Sequence, residues 1–303
     1  MLKTPLLVLT LLLLLCLALA PAAFADGPPH WTYEGPEGPE FWGSLSPDYA
    51  LCSTGKQQSP VDIPSSAALN PADLKFDYKP SPLNVLNNGH TIQGMYEAGS
   101  TLTVDGVPYK LVQFHFHNPS EHEANGKLDA MELHLVHQNA DGGLAVVGVW
   151  IEPGAENKAL APVFSNLPKE QQEAKVVPGA TVNAAGFLPA TQTYYRYDGS
   201  LTTPPCTQGV KWLVMSTPVT ASAEQLAAYK AIMYPTNRPV QALNGRQFLL
   251  TSQVGSTTTT PTTLPVTGAA ENDAAAALIF ALGLLTAGAG VAARRRAAAH
   301  NRP

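Results

Sequence analysis

Two short runs of this chain carry side chains able to hold a metal ion: Gln113-Phe114-His115-Phe116-His117 and Glu132-Leu133-His134-Leu135-Val136-His137. Successive side chains of an extended strand point to opposite faces, so His115 and His117 share one face while Phe114 and Phe116 take the other. By the same alternation Glu132 and His134 share a face in the second run, opposite Leu133 and Leu135; His137 points away from them if the strand stays regular. A neighbouring strand could bring His134 beside the histidine pair. Three neutral imidazoles on rigid strands, with one coordination position open, make a catalytic zinc site. Gln113 and Glu132 each stand two places before a candidate ligand, where they can hold its second ring nitrogen and set the tautomer. The plainer alternative is a half-buried sheet whose histidines each satisfy an ordinary hydrogen bond.

Such residues need strands to present them, and the composition supplies strands. Of 303 residues 45% are hydrophobic and 14% charged, and 24 glycines and 27 prolines favour short strands and turns over long helices. A net charge of −5 offers no basic groove for nucleic acid. Strand-like runs cover Asn84 to Leu86, Ile92 to Met95, Thr101 to Val104, Leu111 to His117, Ala130 to Gln138, Ala145 to Ile151, Thr191 to Tyr197 and Lys211 to Ser216. Asn88-Gly89 and Asp105-Gly106 mark turns. The best helical signal runs from Ser222, a capping residue, to Tyr234, with Glu224 in the first turn. Central strands apolar on both faces imply a large twisted sheet through one domain, residues 26–253.

The ends of the chain read differently. Residues 1–25 have the basic start, apolar core and Ala23-Phe24-Ala25 cleavage site of a secretory signal peptide. In an exported chain the two remaining cysteines, Cys52 and Cys206, can pair or stay as two buried thiols. Residues 254–263 are a Thr/Pro-rich spacer unable to bury a core. Within 264–303, Leu264-Pro265-Val266-Thr267-Gly268 precedes an apolar stretch, Ala274 to Ala293, and then Arg294-Arg295-Arg296. That segment is long enough to span a bilayer with the arginines inside. Its order resembles the sorting signal of Gram-positive surface proteins, which implies a sortase cutting between Thr267 and Gly268 and joining the chain to peptidoglycan. A plain C-terminal membrane anchor is the alternative. Either way the domain faces outward.

Six motifs, in order, carry a resemblance to the alpha-class carbonic anhydrases of the bacterial secreted type: Gln57-Gln58-Ser59-Pro60, Asn87-Asn88-Gly89-His90, Gln113 to His117, Pro119-Ser120-Glu121-His122, Glu132 to His137, and Gly199-Ser200-Leu201-Thr202-Thr203-Pro204-Pro205. They span Trp31 to Phe248. The resemblance implies a mainly β (α+β) single domain with a central, mostly antiparallel sheet of about ten strands and short surface helices. It implies Zn2+ on His115, His117 and His134, with Gln113 and Glu132 behind them. It also implies reversible hydration of carbon dioxide to bicarbonate and a proton by zinc-bound hydroxide, and sensitivity to sulfonamide and anion inhibitors.

Further roles follow from the same resemblance. Thr202 is the gatekeeper, accepting from the hydroxide and donating to Glu121; Thr202 and Thr203 bind substrate. Val136, Val146, Leu201 and Trp212 form the apolar substrate wall, for which plain core packing is the alternative. His90 is the proton shuttle, an imidazole ordinarily titrating near 6.5, and Tyr33, Asn88 and Gln93 order a water chain. His122 takes part in buried hydrogen bonding. Cys52 pairs with Cys206 and tethers the catalytic loop. Asn118 and Gln138 depart from animal members, which carry an aromatic residue at each. A homodimer is a further expectation. Two other functions compete: a catalytically silent surface binding module of the same fold, and a zinc hydrolase acting on esters.

Overall fold

The computed structural model describes residues 29–250. The expected signal peptide, spacer and sorting segment lie outside the described residues. Among the described residues no helix is long and apolar enough to cross a membrane. The strands, in chain order, are β1 (Asp62–Ile63), β2 (Leu69–Asn70), β3 (Lys75–Asp77), β4 (Ser81–Asn87), β5 (Ile92–Met95), β6 (Thr101–Val104), β7 (Val107–His117), β8 (Glu123–Ala124), β9 (Met131–Gln138), β10 (Leu144–Pro153), β11 (Gln172–Val182), β12 (Tyr194–Ser200), β13 (Gln208–Met215) and β14 (Val219–Ala221).

One mixed sheet holds twelve of them, in the order β11-β4-β5-β7-β9-β10-β13-β12-β2, with β6 and β3 continuing from β7 and β14 beside β10. Only β10–β13 and β10–β14 are parallel within it; β1 and β8 form a separate parallel pair. The sheet is thus mostly antiparallel, as expected, and slightly larger. All eight expected runs form strands. The additions are pieces of two or three residues, together with β11, an edge strand largely open to solvent and interrupted by Pro178-Gly179, which therefore lacks the alternation that betrays a half-buried strand.

Local chemistry explains the connections. Asp105 (φ 51°) and Gly106 (φ 78°) form the two-residue hairpin turn between β6 and β7, where both positions need positive φ. Ser222 caps the helix Ala223–Lys230 by accepting from the Gln225 N–H, while the Gln225 side chain accepts from the Ser222 N–H. That helix stops short of Tyr234.

The central strands bury both faces. Phe114, Phe116, Leu133, Leu135, Val147 and Val149 enter the larger core with Phe187 and Tyr229. The opposite face carries the histidines, and beside them Val136, Val146, Tyr197 and Trp212 build a second core. Since every CH2 removed from water contributes about 0.8 kcal/mol, the larger core anchors the sheet rigidly beneath the polar face. His137 lies on the larger core's side: its Nε2 meets the Tyr78 hydroxyl at 2.7 Å and its Nδ1–H donates to the Ala145 carbonyl at 3.2 Å.

Candidate active site

Pairing of β7 with β9 sets His115 directly opposite His134, and His117 opposite Glu132. The three imidazoles come together, with ring centroids 4.6 to 5.2 Å apart. One nitrogen from each lies within 4.8 Å of the others. Gly148 of β10 sits beside His134, and a side chain there would collide with Glu132 Oε1 at 2.8 Å.

The outer nitrogens decide the tautomers. His115 Nδ1–H donates to Gln113 Oε1 at 2.8 Å, His117 Nδ1–H to the Thr236 carbonyl, and His134 Nε2–H to Glu132 Oε1 at 2.9 Å. Each partner is an oxygen that accepts, so each ring carries its proton outward and turns a bare lone pair inward: Nε2 of His115, Nε2 of His117 and Nδ1 of His134. Burial, the largest cause in each case, lowers all three pKa values; His117 falls to about 3. Neutral imidazoles result. His117 Nε2 is buried without a hydrogen-bond partner. Three convergent lone pairs, one of them orphaned, fit a tetrahedral divalent cation with nitrogen ligands, which is the preference of zinc. The neighbouring trio His122, Glu132 and His134 fits one poorly, because its members already bond to one another.

Glu132 anchors this arrangement. Its Oε1 accepts from His122 Nδ1 (2.7 Å) and His134 Nε2, and its Oε2 from the backbone N–H groups of Glu121 (2.9 Å) and His122 (2.8 Å). Burial alone would raise its carboxyl, but its contacts with His122 and His134, bonds from their ring N–H groups among them, hold it well below the usual range. His122 is buried between Glu132 and the Tyr197 hydroxyl, the polar role expected of it.

Glu121, whose backbone N–H is held by Glu132, brings its own carboxylate to the inward nitrogens of the trio. Its Oε2, buried and without a hydrogen-bond partner, is 3.4 Å from His117 Nε2 and 3.9 Å from His134 Nδ1. Oε1 accepts from the Arg238 N–H at 2.9 Å, and the Thr202 side chain lies near enough to the same carboxylate to lower its pKa. Burial pushes this carboxyl up more strongly than those contacts pull it down.

A cavity of about 350 Å3 opens over the histidines. His115, His117, His134, Thr202, Thr203, Val136, Val146, Leu201, Trp212, Tyr33, Gln93, Gln113 and His90 all line it. Glu121 and Glu132 are buried behind the lining. Asn88 is outside it: its Oδ1 accepts from the His90 and Thr91 N–H groups and closes the β4–β5 turn. Burial, then the charge of Glu121, push the Tyr33 phenol up, so it stays protonated. His90 differs from the unperturbed imidazole expected. Its ring stacks on Trp31 at 3.7 Å, and burial followed by the charge of His30 lowers its pKa to about 4. His90 and Tyr33 also line an outer groove of about 430 Å3.

Cys52 and Cys206 are joined in a disulfide. Arg238 ties it to the site: its guanidinium donates to the Cys52 and Ser59 carbonyls and to Gln58 Oε1, while its N–H holds Glu121. Neither Arg238 nor Thr236 is singled out by sequence reasoning, since both lie in an irregular segment over a hundred residues from what they hold. Their only signal is that an arginine in such a segment can be buried, as Arg238 is at 1% exposure.

Comparison with known proteins agrees with this geometry. A family model described as eukaryotic-type carbonic anhydrase matches residues 37–252. A carbonic anhydrase of Klebsiella pneumoniae is 45% identical over 238 residues, 77% of this chain and 95% of that one. One from Neisseria gonorrhoeae is 44% identical over 237 residues, 78% and 93% of the two chains. The solved structure of the alpha-carbonic anhydrase of Thermovibrio ammonificans, in complex with the inhibitor sulfanilamide, is similar with a TM-score of 0.71 and 43% identity, covering 74% of this chain and all of that one. With the histidine trio, its buried acceptors and the twelve-stranded sheet in place, these matches show that the chain belongs to the alpha-class carbonic anhydrase family.

Proposed function

We propose that the protein is a zinc-dependent carbonic anhydrase working outside the cell membrane, converting carbon dioxide and water to bicarbonate and a proton. The observation that carries this is the set of three inward lone pairs on His115, His117 and His134, each backed by an acceptor that fixes its tautomer. His115, His117 and His134 would hold the zinc, which when bound would supply water acidic enough to ionise near neutral pH.

The chain's own groups then direct the reaction. Glu121 as a carboxylate only accepts, so the Thr202 hydroxyl would donate its hydrogen bond to it, keep its proton and leave an oxygen lone pair for the cavity. A nucleophilic oxygen donating to that lone pair is turned so that its own lone pair meets the carbon of the substrate. A divalent cation held by the three imidazoles would stand near the orphaned Glu121 Oε2 and would favour the ionised carboxyl that this relay needs, against the burial that raises it. Val136, Val146, Leu201 and Trp212 present an apolar wall suited to a molecule without net charge. Thr203 lies next to Thr202 on the lining and is assigned to substrate contact. Tyr33 and Gln93 face the same space, Asn88 shapes the turn bearing His90, and His90, which lines both the cavity and the outer groove, is assigned as the group that passes the proton outward.

Sulfonamides, as a deprotonated nitrogen over the same three histidines, are the expected inhibitors. Residues 1–25 are assigned as signal peptide and 264–303 as sorting signal, with a sortase and peptidoglycan as partners at Thr267. A second copy in a homodimer is a further proposal, tested by sedimentation. The test of function is hydration by the zinc-replete domain, residues 26–253: activity disappears on chelation and in His115→Ala. Hydration no faster than buffer would overturn the assignment and favour a silent binding module, and ester turnover without hydration would favour the hydrolase. For location, a wall-fraction chain ending at Thr267 is expected; an intact Pro303 would support membrane anchoring.

A further inference from the structure

The mouth of the cavity is built differently from its floor. Regular strands show alternate residues to one face, yet two consecutive pairs, Val112-Gln113 and Glu173-Ala174, both line this cavity. Each pair sits at a break in strand register. On β11, Gln172 pairs with Asn87 and Lys175 with Val85, so Glu173 and Ala174 together stand opposite the single residue Leu86. On β7 the register shifts between Leu111 and Gln113. Extra residues of this kind re-aim side chains and are frequent next to active sites. They bring Val112 and Ala174 to the lining with Leu86 and Met95, an apolar shelf carried by β4, β5, β7 and β11, whereas Val136, Val146 and Trp212 come from β9, β10 and β13.

Glu173 is the only carboxylate among the lining residues, and none of them is a lysine or arginine. The nearest cation along β11, Lys175, is outside the lining and reaches Gln172 Oε1 at 3.4 Å. An edge of apolar surface ending in one uncompensated negative charge is complementary to an apolar group ending in an ammonium. Carbon dioxide uses neither feature.

We propose that the β11 bulge makes a recognition subsite for the cationic end of an elongated aryl or alkyl ligand whose other end is held over the histidine trio, with Glu173 the residue that sets the charge preference. The inference deepens the proposed function and rests on it for the position of the ligand's head.

The test compares three probes on the zinc-loaded full chain by calorimetry: benzenesulfonamide, its 4-(2-aminoethyl) derivative and its 4-(2-carboxyethyl) derivative. At low ionic strength the cationic probe is expected to bind about five- to tenfold more tightly than the anionic one, the size expected of one exposed charge acting on both. Glu173→Gln brings the ratio to within about twofold of unity, Glu173→Lys inverts it, and 0.5 M salt weakens it, while benzenesulfonamide itself is unmoved. A ratio unchanged in Glu173→Gln overturns the subsite. Failure of benzenesulfonamide to bind at all would instead strike the zinc assignment. In that event, phenethylammonium against 3-phenylpropanoate, followed by chemical shifts of Met95 and Leu86 in the chelated protein, decides the mouth separately: shifts for the cation alone, lost in Glu173→Gln, sustain it, and equal or absent shifts end it.

Discussion

Replacing Glu132 by glutamine tests the proposed site at its most constrained atom. The carboxylate accepts four N–H bonds, two at each oxygen, at 2.7 to 2.9 Å and in full burial. An amide keeps one acceptor and turns the other position into a donor. If the NH2 group faces the Glu121 and His122 backbone, two buried donors lose their partners, and neither can change its protonation; that costs about 2–6 kcal/mol. If it faces the imidazoles, His122 and His134 can move their protons to the other ring nitrogen. The second arrangement is cheaper and is the one expected. It places a proton on His134 Nδ1, the nitrogen turned toward His115 and His117, and so removes a lone pair from the metal site. Zinc affinity should fall about 10- to 100-fold, the range seen when partners behind a metal ligand are removed, with stability reduced by about 1–3 kcal/mol. Competition against a chelator of known affinity at pH 7 measures the first, and urea unfolding of the metal-free protein the second. Zinc affinity within about twofold of wild type, with unchanged stability, would refute the tautomer argument.

Other perturbations follow from single contacts. His137, neutral and buried with a pKa near 4 against an ordinary 6.5, binds its proton in the unfolded chain first, so stability is lost as pH falls between those values. That loss is about 3 kcal/mol, and the urea midpoint of His137→Gln should fall correspondingly less than wild type between pH 7 and 4. Gly94→Ala would drive a methyl to 2.2 Å from Phe114 Cζ in a filled core; a destabilisation of about 1–3 kcal/mol is expected by thermal or urea unfolding. Thr202→Val removes the hydroxyl between Glu121 and the cavity, and kcat/KM for hydration should drop about a hundredfold with zinc content unchanged.

Much of the site could be read from residue order alone, and the reasons are local. The placement of His115 with His117, and of Glu132 with His134, needs only the two-residue period of a strand, and both runs are regular through those positions. Asp105-Gly106 and Ser222 announced a turn and a helix start by backbone preferences that act within four residues. Where alternation fails, so does the reading: Val112 and Gln113, or Glu173 and Ala174, share a cavity only because a strand carries one residue too many for its neighbour. His90 shows the same divide. An imidazole's ordinary titration is a property of the residue, but its stacking on Trp31 and its burial are properties of the packed protein.

The sequence by itself determined the sheet character of the domain, the two metal-binding runs and the residues two places before their histidines, because alternation is written into the covalent geometry of an extended chain. The tertiary structure alone decided which nitrogen of each ring faces inward, and it brought Thr236 to His117 across 119 residues and the Arg238 N–H to Glu121 across 117. Those partners are backbone groups, which every residue possesses; only packing distinguishes the one that arrives within hydrogen-bonding distance.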